Sequence, residues 1–214
     1  SSIRKDGERY IFVYSSRHNH ELCYAVSHRP DGDFQFGGTL VSLGDLFLDG
    51  RTEEKHGRNY LGNTHGGMLN IGDDWYIFYH RQTNRHSYSR QACAEKLIRT
   101  PDGHFLQAEV TSCGLNGGPL VGKGYYPAYI ACYLFSEDYN QPNFLGIAQD
   151  GRDGDEIPGH VMGITNGCTV GFKNFEFDGS TKEIKLWIRG NYISGEFEVK
   201  NAINGEVLAK IPVR

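Results

Sequence analysis

The residues able to do chemistry are scattered along this sequence rather than gathered into one signature. His80 and Arg81 follow the aromatic run WYIFY, at a strand end where loops usually carry function. An imidazole beside a guanidinium could contact a polar ligand at a rim, but a salt bridge or hydrogen bond to a neighbouring loop suits the pair better. Arg90 lies in the strand-like stretch Tyr88 to Leu97, where Ala92 and Ala94 share its parity. Small neighbours on its own face leave room for the long side chain to lie toward a cavity, although a solvated strand face would look the same. His65 stands among glycines in GNTHGG, a setting that an ordinary structural histidine also occupies. The acidic groups read more plainly. Asp73-Asp74 fit a hairpin turn and Glu53-Glu54 a charged loop. The run Asp150, Asp153, Asp155 and Glu156 lacks the ligand spacing and closing Glu of an EF-hand.

The five cysteines, Cys23, Cys93, Cys113, Cys132 and Cys168, contain no CxxC pair, and their odd number leaves at least one thiol. They read as reduced, small apolar residues. A net charge of -4 argues against a nucleic-acid partner, which needs clustered Lys and Arg. No apolar run approaches the roughly 20 residues that span a bilayer, so no membrane partner is expected. The chain opens with Ser1, without a visible signal peptide, and runs straight into strand-like sequence, which leaves its compartment open.

Elements built to position these residues are strands. Glycine, 28 of 214 residues, is about twice as frequent as usual, and aromatic residues make up 13%. Arg9 to Ser15 and Glu21 to Ser27 read as a hairpin closed by the polar stretch SRHNH, followed by a strand from Phe34 to Ser42. After a loop rich in Gly and charge, the layout recurs: His65 to Ile71, a turn at Gly72, Trp75 to His80, Tyr88 to Leu97 and His104 to Val110. Two groups of short antiparallel strands suit two blades of a β-propeller, or a generic β-sandwich. CGLNGGPLVGKG then reads as a linker. Strands follow at about 129–135, 160–164, 168–177, 183–189, 195–201 and 207–213, a spacing that suits a small jelly-roll-like sandwich. The fold class expected is all-β, with residues 1–112 as part of a propeller, 113–126 as linker and 127–214 as a second, possibly incomplete, β-sandwich.

Three stretches resemble glycoside hydrolase family 43: SSIRKDGERYIFVYSS, GNTHGGMLNIGDDWYIFYHRQT, and SRQACAEKL followed by DGHFLQAEVTSCGLNGGPL. The resemblance covers roughly residues 1 to 125. More loosely, ITNGCTVGFKNFEFDG and LWIRGNYISGEFEVKNAINGEVLAKIPV are similar to a family 6 carbohydrate-binding sandwich. The resemblance implies a five-bladed propeller and inverting hydrolysis of α-L-arabinofuranosyl or β-D-xylosyl linkages in plant polysaccharides such as xylan. Its partners would be arabinose- or xylose-containing oligosaccharides. It implies that His65 points into the propeller channel and helps hold a calcium ion, directly or through water. Arg90 would reach toward the sugar in the first subsite, and Ser1 and Ser2 would line the same pocket; Arg81, from its place at the strand end, is kept as a substrate contact at the rim. Trp187, Tyr192 and Tyr133 could stack on sugar faces, or pack in a core.

The sequence departs from the family in its acids. The general base and the aspartate that tunes the acid belong to early blades, and the acid to a Glu-Ala pair that would precede Ser1. The expectation is therefore a chain without the three catalytic carboxylates, partnered by missing N-terminal blades and inactive alone. A non-catalytic carbohydrate-binding protein is the alternative.

Overall fold

Alternating aromatic and β-branched residues fit a pleated, half-buried surface, and in this computed structural model they build two antiparallel sheets. Residues 1–18, 20–84, 87–136, 145–149, 159–190 and 194–213 are described. Strands β1 (Ser2–Asp6), β2 (Arg9–Ser15), β3 (Glu21–Ser27) and β4 (Gln35–Ser42) pair in chain order. Strands β5 (Gly66–Ile71), β6 (Asp74–Gln82) and β7 (Arg90–Leu97) form the second sheet, also in chain order. The β1–β2 and β5–β6 hairpins turn through Gly7 at φ 59° and Gly72 at φ 62°, left-handed positions that tight hairpins need and glycine fills without strain.

Period-two alternation decides what each strand buries. Ile11 and Val13 of β2, Leu22 and Tyr24 of β3, Met68 of β5, Trp75, Ile77 and Tyr79 of β6 and Leu97 of β7 form one core. The intervening Tyr10, Phe12 and Tyr14 of β2 stay half-exposed on the other face of the first sheet. Residues 104–110, expected as a strand, make only isolated bridges. Leu106 N–H donates to Ile98 O at 3.0 Å and Ala108 N–H to Leu40 O at 2.8 Å. The segment leaves one sheet for the other, so it stitches the two together instead of extending a ladder. Phe105 and Val110 enter the shared core on the way.

The chain then adds β8 (Leu120–Val121), β9 (Tyr133–Phe135), β10 (Gly146–Ala148), β11 (His160–Met162), β12 (Thr169–Gly171) and β13 (Phe175–Glu176). These strands join in twos, β9 with β12 and β10 with β11 antiparallel, β8 with β13 parallel. They dock on the segments that follow β4 and β6. Leu134 N–H donates to Arg58 O at 2.9 Å, and Ile147 N–H to Thr83 O at 2.8 Å. Ala131, Leu134, Leu145 and Ile147 make a small satellite core beneath them.

One compact unit therefore runs from Ser1 to Glu176, and the expected linker 113–126 lies inside it. The second unit, Phe177 to Arg214, contains one antiparallel hairpin, β14 (Gly195–Lys200) with β15 (Val207–Val213). Residues 183–189, which read as a strand, join no ladder, and their side chains are exposed. The fold class is all-β: among the described residues the helical segments are three 3-10 turns of three residues each. No helix among them is long and apolar enough to cross a membrane.

Candidate functional site

Strand β6 ends in His80-Arg81-Gln82, and alternation sends consecutive side chains to opposite faces. Arg81 faces inward with Tyr79 and is only 5% exposed. Its Nε donates to Gln91 Oε1 at 2.9 Å, and its terminal nitrogens to Tyr129 O at 3.0 Å and Asn59 Oδ1 at 3.4 Å. The rim contact expected of Arg81 gives way to a structural one: its planar fork ties β6 to Gln91 of β7, to Asn59 and to the 127–130 segment. His80 turns the other way, toward the face that carries Arg90.

His80 lies opposite Ala92, and Gln82 opposite Arg90, so His80, Ala92 and Arg90 share one face of the sheet. His65, just before β5, brings its ring to 5.6 Å from the His80 ring. Burial holds the His80 pKa below its ordinary value, and the positive charges of Arg90 and His65 push it the same way. Ser2, at the start of β1, approaches from the first sheet. A Cβ on Gly67 would stand 2.6 Å from Ser2 Oγ, so glycine at 67 is what admits the hydroxyl. Ser1 precedes it, exposed.

Among the described residues, Ser2 Oγ, Thr64 Oγ1 and both ring nitrogens of His80 are buried without a hydrogen-bond partner. Such groups normally find partners, because leaving one unsatisfied costs about 1–3 kcal/mol. His80, whose nitrogens lack partners, also feels the Arg90 charge, which marks this end of the sheet as set up to hydrogen-bond something else. Sequence reasoning paired His80 with Arg81 and could not choose between them, and it overlooked Thr64.

A carboxylate of unusual chemistry lies on the inward face. Glu95, 4% exposed, has its pKa raised by burial to about 7. Its oxygens accept hydrogen bonds from Thr111 N at 2.8 Å, Thr111 Oγ1 at 2.6 Å and Tyr79 OH at 3.2 Å. A raised carboxyl pKa suits a general acid, but every one of these bonds fastens Glu95 to its own sheet and the following loop. It shares the face of Arg81, away from His80 and Arg90.

No protein-family model matches the chain. A curated "Xylosidase/arabinosidase" of Thermoclostridium stercorarium is 47% identical over 99% of it. The chain is homologous to part of a xylosidase/arabinosidase. It spans 46% of that relative's length. A "Beta-xylosidase" of Xylanibacter ruminicola is 27% identical over 107 residues, 49% of this chain and 29% of the relative. The family 43 resemblance read from the sequence agrees with this relationship. Among solved structures, a glycoside hydrolase family 43 arabinoxylan arabinofuranohydrolase from Bacillus subtilis, in complex with cellotetraose, is 18% identical with a TM-score of 0.41, covering 99% of this chain and 43% of that one. A GH43_1 enzyme from Xanthomonas citri is 24% identical with a TM-score of 0.39, covering 50% and 28%. Likenesses of that strength do not fix a fold.

Against this relationship the expected calcium site can be tested on the donors present. Calcium takes six to eight oxygen ligands, carboxylates foremost. The groups described around His65 are a second imidazole, two hydroxyl-bearing residues and the Arg90 cation. These residues do not by themselves fit a calcium ion. The run 150–156 and Tyr192 lie outside the described residues. Tyr133 is 8% exposed, its ring stacked on Phe135 at 6.0 Å, so it packs rather than presents a face to a ligand, whereas Trp187 is 75% exposed.

Proposed function

We propose that the chain is the sugar-facing part of an inverting family 43 glycosidase acting on α-L-arabinofuranosyl or β-D-xylosyl linkages. Its two sheets, β1–β4 and β5–β7, are read as neighbouring blades of a propeller. The observation that carries the reading is His80, whose buried ring nitrogens have no hydrogen-bond partner among the described residues and which is acted on by His65 and Arg90, with Ser2 Oγ and Thr64 Oγ1 likewise unpartnered. Sugar hydroxyls donate and accept at once, and a neutral imidazole offers one donor and one acceptor to match them. The lowered pKa keeps His80 in that neutral form at neutral pH. Arg90 adds a rigid fork of donors and a positive charge.

Inverting hydrolysis needs an acid to protonate the leaving oxygen and a base to activate water, about 6.5–9.5 Å apart. We assign neither role to a carboxylate of this chain. The charges that act on His80 are cationic, as befits a surface that binds the sugar and steers carboxylates presented opposite it. The chain alone is then a binder without turnover. The test is a titration of the isotope-labelled chain with xylotriose and with arabinosylated xylo-oligosaccharides, followed by amide shifts. Changes centred on residues 1–2, 64–67, 80 and 90 are expected, with no release of nitrophenol from aryl xylosides or arabinofuranosides. Sugar-induced shifts confined to other surfaces would overturn the site. Turnover by the purified chain would show that the acid and base have been wrongly denied to it.

A further inference from the structure

A second cluster lies far along the sequence from these residues, in the β2–β3 hairpin loop. His18 and His20 belong to that loop, and Glu54 opens a 3-10 turn in the segment after β4. The ligand atoms of His18, His20 and Glu54 all lie within 4.8 Å of one another. The backbone brings them together: Leu43 N–H donates to His20 O at 2.9 Å, drawing the chain beyond β4 against the hairpin.

His20 is the fixed member. It is 3% exposed, and its Nδ1 is buried without a hydrogen-bond partner among the described residues. Its Nε2 faces Glu54 Oε1 at 3.6 Å, while Nδ1 faces Glu21 Oε1 at 4.0 Å. Both separations are too long for hydrogen bonds. A buried imidazole flanked on both edges by carboxylates, and bonded to neither, is arranged for an ion at one edge. The His18 ring stands 5.9 Å from the His20 ring, and His18 and Glu54 are exposed, with freedom to close the last distance.

We infer that His18, His20 and Glu54 form a binding site for a divalent transition-metal ion of the zinc class. Two imidazoles and one carboxylate suit zinc, whose bonds to nitrogen and oxygen are about 2.0–2.2 Å long, and leave a fourth position for water. Calcium and magnesium, which demand oxygen shells, are disfavoured by the same donors. His20 binds through Nε2, leaving Nδ1 turned toward Glu21, a carboxylate placed as the outer groups that orient metal-bound histidines are. The ion clips the hairpin loop to the segment carrying Glu54, so its consequence is stability.

The chain, stripped with a chelator and dialysed, is titrated with zinc in a calorimeter and loaded with cobalt(II) for its visible spectrum. One zinc per chain is expected, with a raised melting temperature and a cobalt spectrum of low coordination number. His18→Ala and Glu54→Gln alter exposed side chains, leave the fold intact and should each remove the one-to-one binding. Glu21→Gln should weaken it roughly 10- to 100-fold. His56→Ala, a neighbouring histidine outside the cluster, should change nothing. Zinc binding undiminished in His18→Ala and Glu54→Gln, or no stoichiometric binding in the parent chain, would overturn the inference.

Discussion

Glu95 shows how one side chain couples this fold to pH. Burial raises its carboxyl from the ordinary 4.5 to about 7, against the pull of three hydrogen bonds that favour the charged form. Between those two values the folded chain holds a proton that the unfolded chain has released. Stability therefore falls as pH rises from about 4.5 to 7 and levels off above, a loss on the order of 3 kcal/mol for a shift of this size. Glu95→Gln keeps an oxygen to accept from the Thr111 amide and gives the Thr111 hydroxyl a donor to meet. Urea unfolding should find the variant more stable than the parent at pH 8, with the gap closing toward pH 4.5. A gap independent of pH would mean that Glu95 is ionised in the fold. Arg90 is tested in the opposite direction. Arg90→Ala removes charge-assisted bonds worth roughly 1.5–3 kcal/mol, so sugar affinity should drop about 10- to 150-fold with melting unchanged. Arg90→Lys should recover little of it, since a point charge lacks the planar fork. Unchanged affinity in a folded Arg90→Ala chain would return this residue to a solvated strand face.

At the scale of elements, the segment after residue 127 is held by a buried charge. Asp45 is fully buried, and Lys173 reaches it at 2.6 Å and Glu109 at 2.7 Å. Asp45 Oδ1 also accepts from Val110 N at 2.8 Å, and burial still raises the Asp45 pKa above its ordinary value. Removing the cation alone strands a buried carboxylate, at a cost of about 3–5 kcal/mol. Lys173→Met should lose stability of that order in chemical unfolding, and the pair Asp45→Asn with Lys173→Met should regain much of it. Equal losses in the single and double variants would show that the ion pair is not what binds these segments. None of this was legible in the sequence, because Asp45 and Lys173 are joined only by tertiary packing. The strands were legible. Arg9 to Ser15, Glu21 to Ser27 and Val207 to Val213 emerge with the boundaries their alternation implies. Strand β6 shows where that signal stops: Trp75, Ile77 and Tyr79 on one face and Tyr76 and Phe78 on the other are all apolar. Nothing in the pattern told which of His80 and Arg81 turns inward. Likewise His18, His20 and Glu54 read as two separate polar loops until the backbone set them side by side.

At the scale of the molecule, each of the two large sheets turns one face to the shared core and leaves large apolar side chains exposed on the other. On the first sheet Ile3 pairs across from Phe12, and Ala25 links Phe12 to Phe36, so these side chains share the outer face. Phe12 stacks on Tyr14 at 5.4 Å and meets Phe34 at 5.6 Å, an aromatic surface from which Phe36 projects 69% exposed and Ile3 43%. The second sheet presents Leu69 at 46% and Ile71 at 47% toward its Gly72 turn, on the face whose other end carries His80 and Arg90. Isolated exposed apolar residues are commonplace, but rows of them on sheet faces mark surfaces that a partner covers. A further sheet packed there, or a second copy of the chain, would bury them and gain about 25 cal/mol for each Å² of apolar surface removed from water. Light scattering after size exclusion should therefore give a concentration-dependent mass above the 24.0 kDa of one chain. Phe36→Lys and Leu69→Lys, which place a charge in the middle of each face without touching the core between the sheets, should lower that mass toward the monomer. A parent chain that stays at 24.0 kDa across the concentration range would show that both faces are at rest in water, and the reading of the two sheets as blades awaiting neighbours would fall with it.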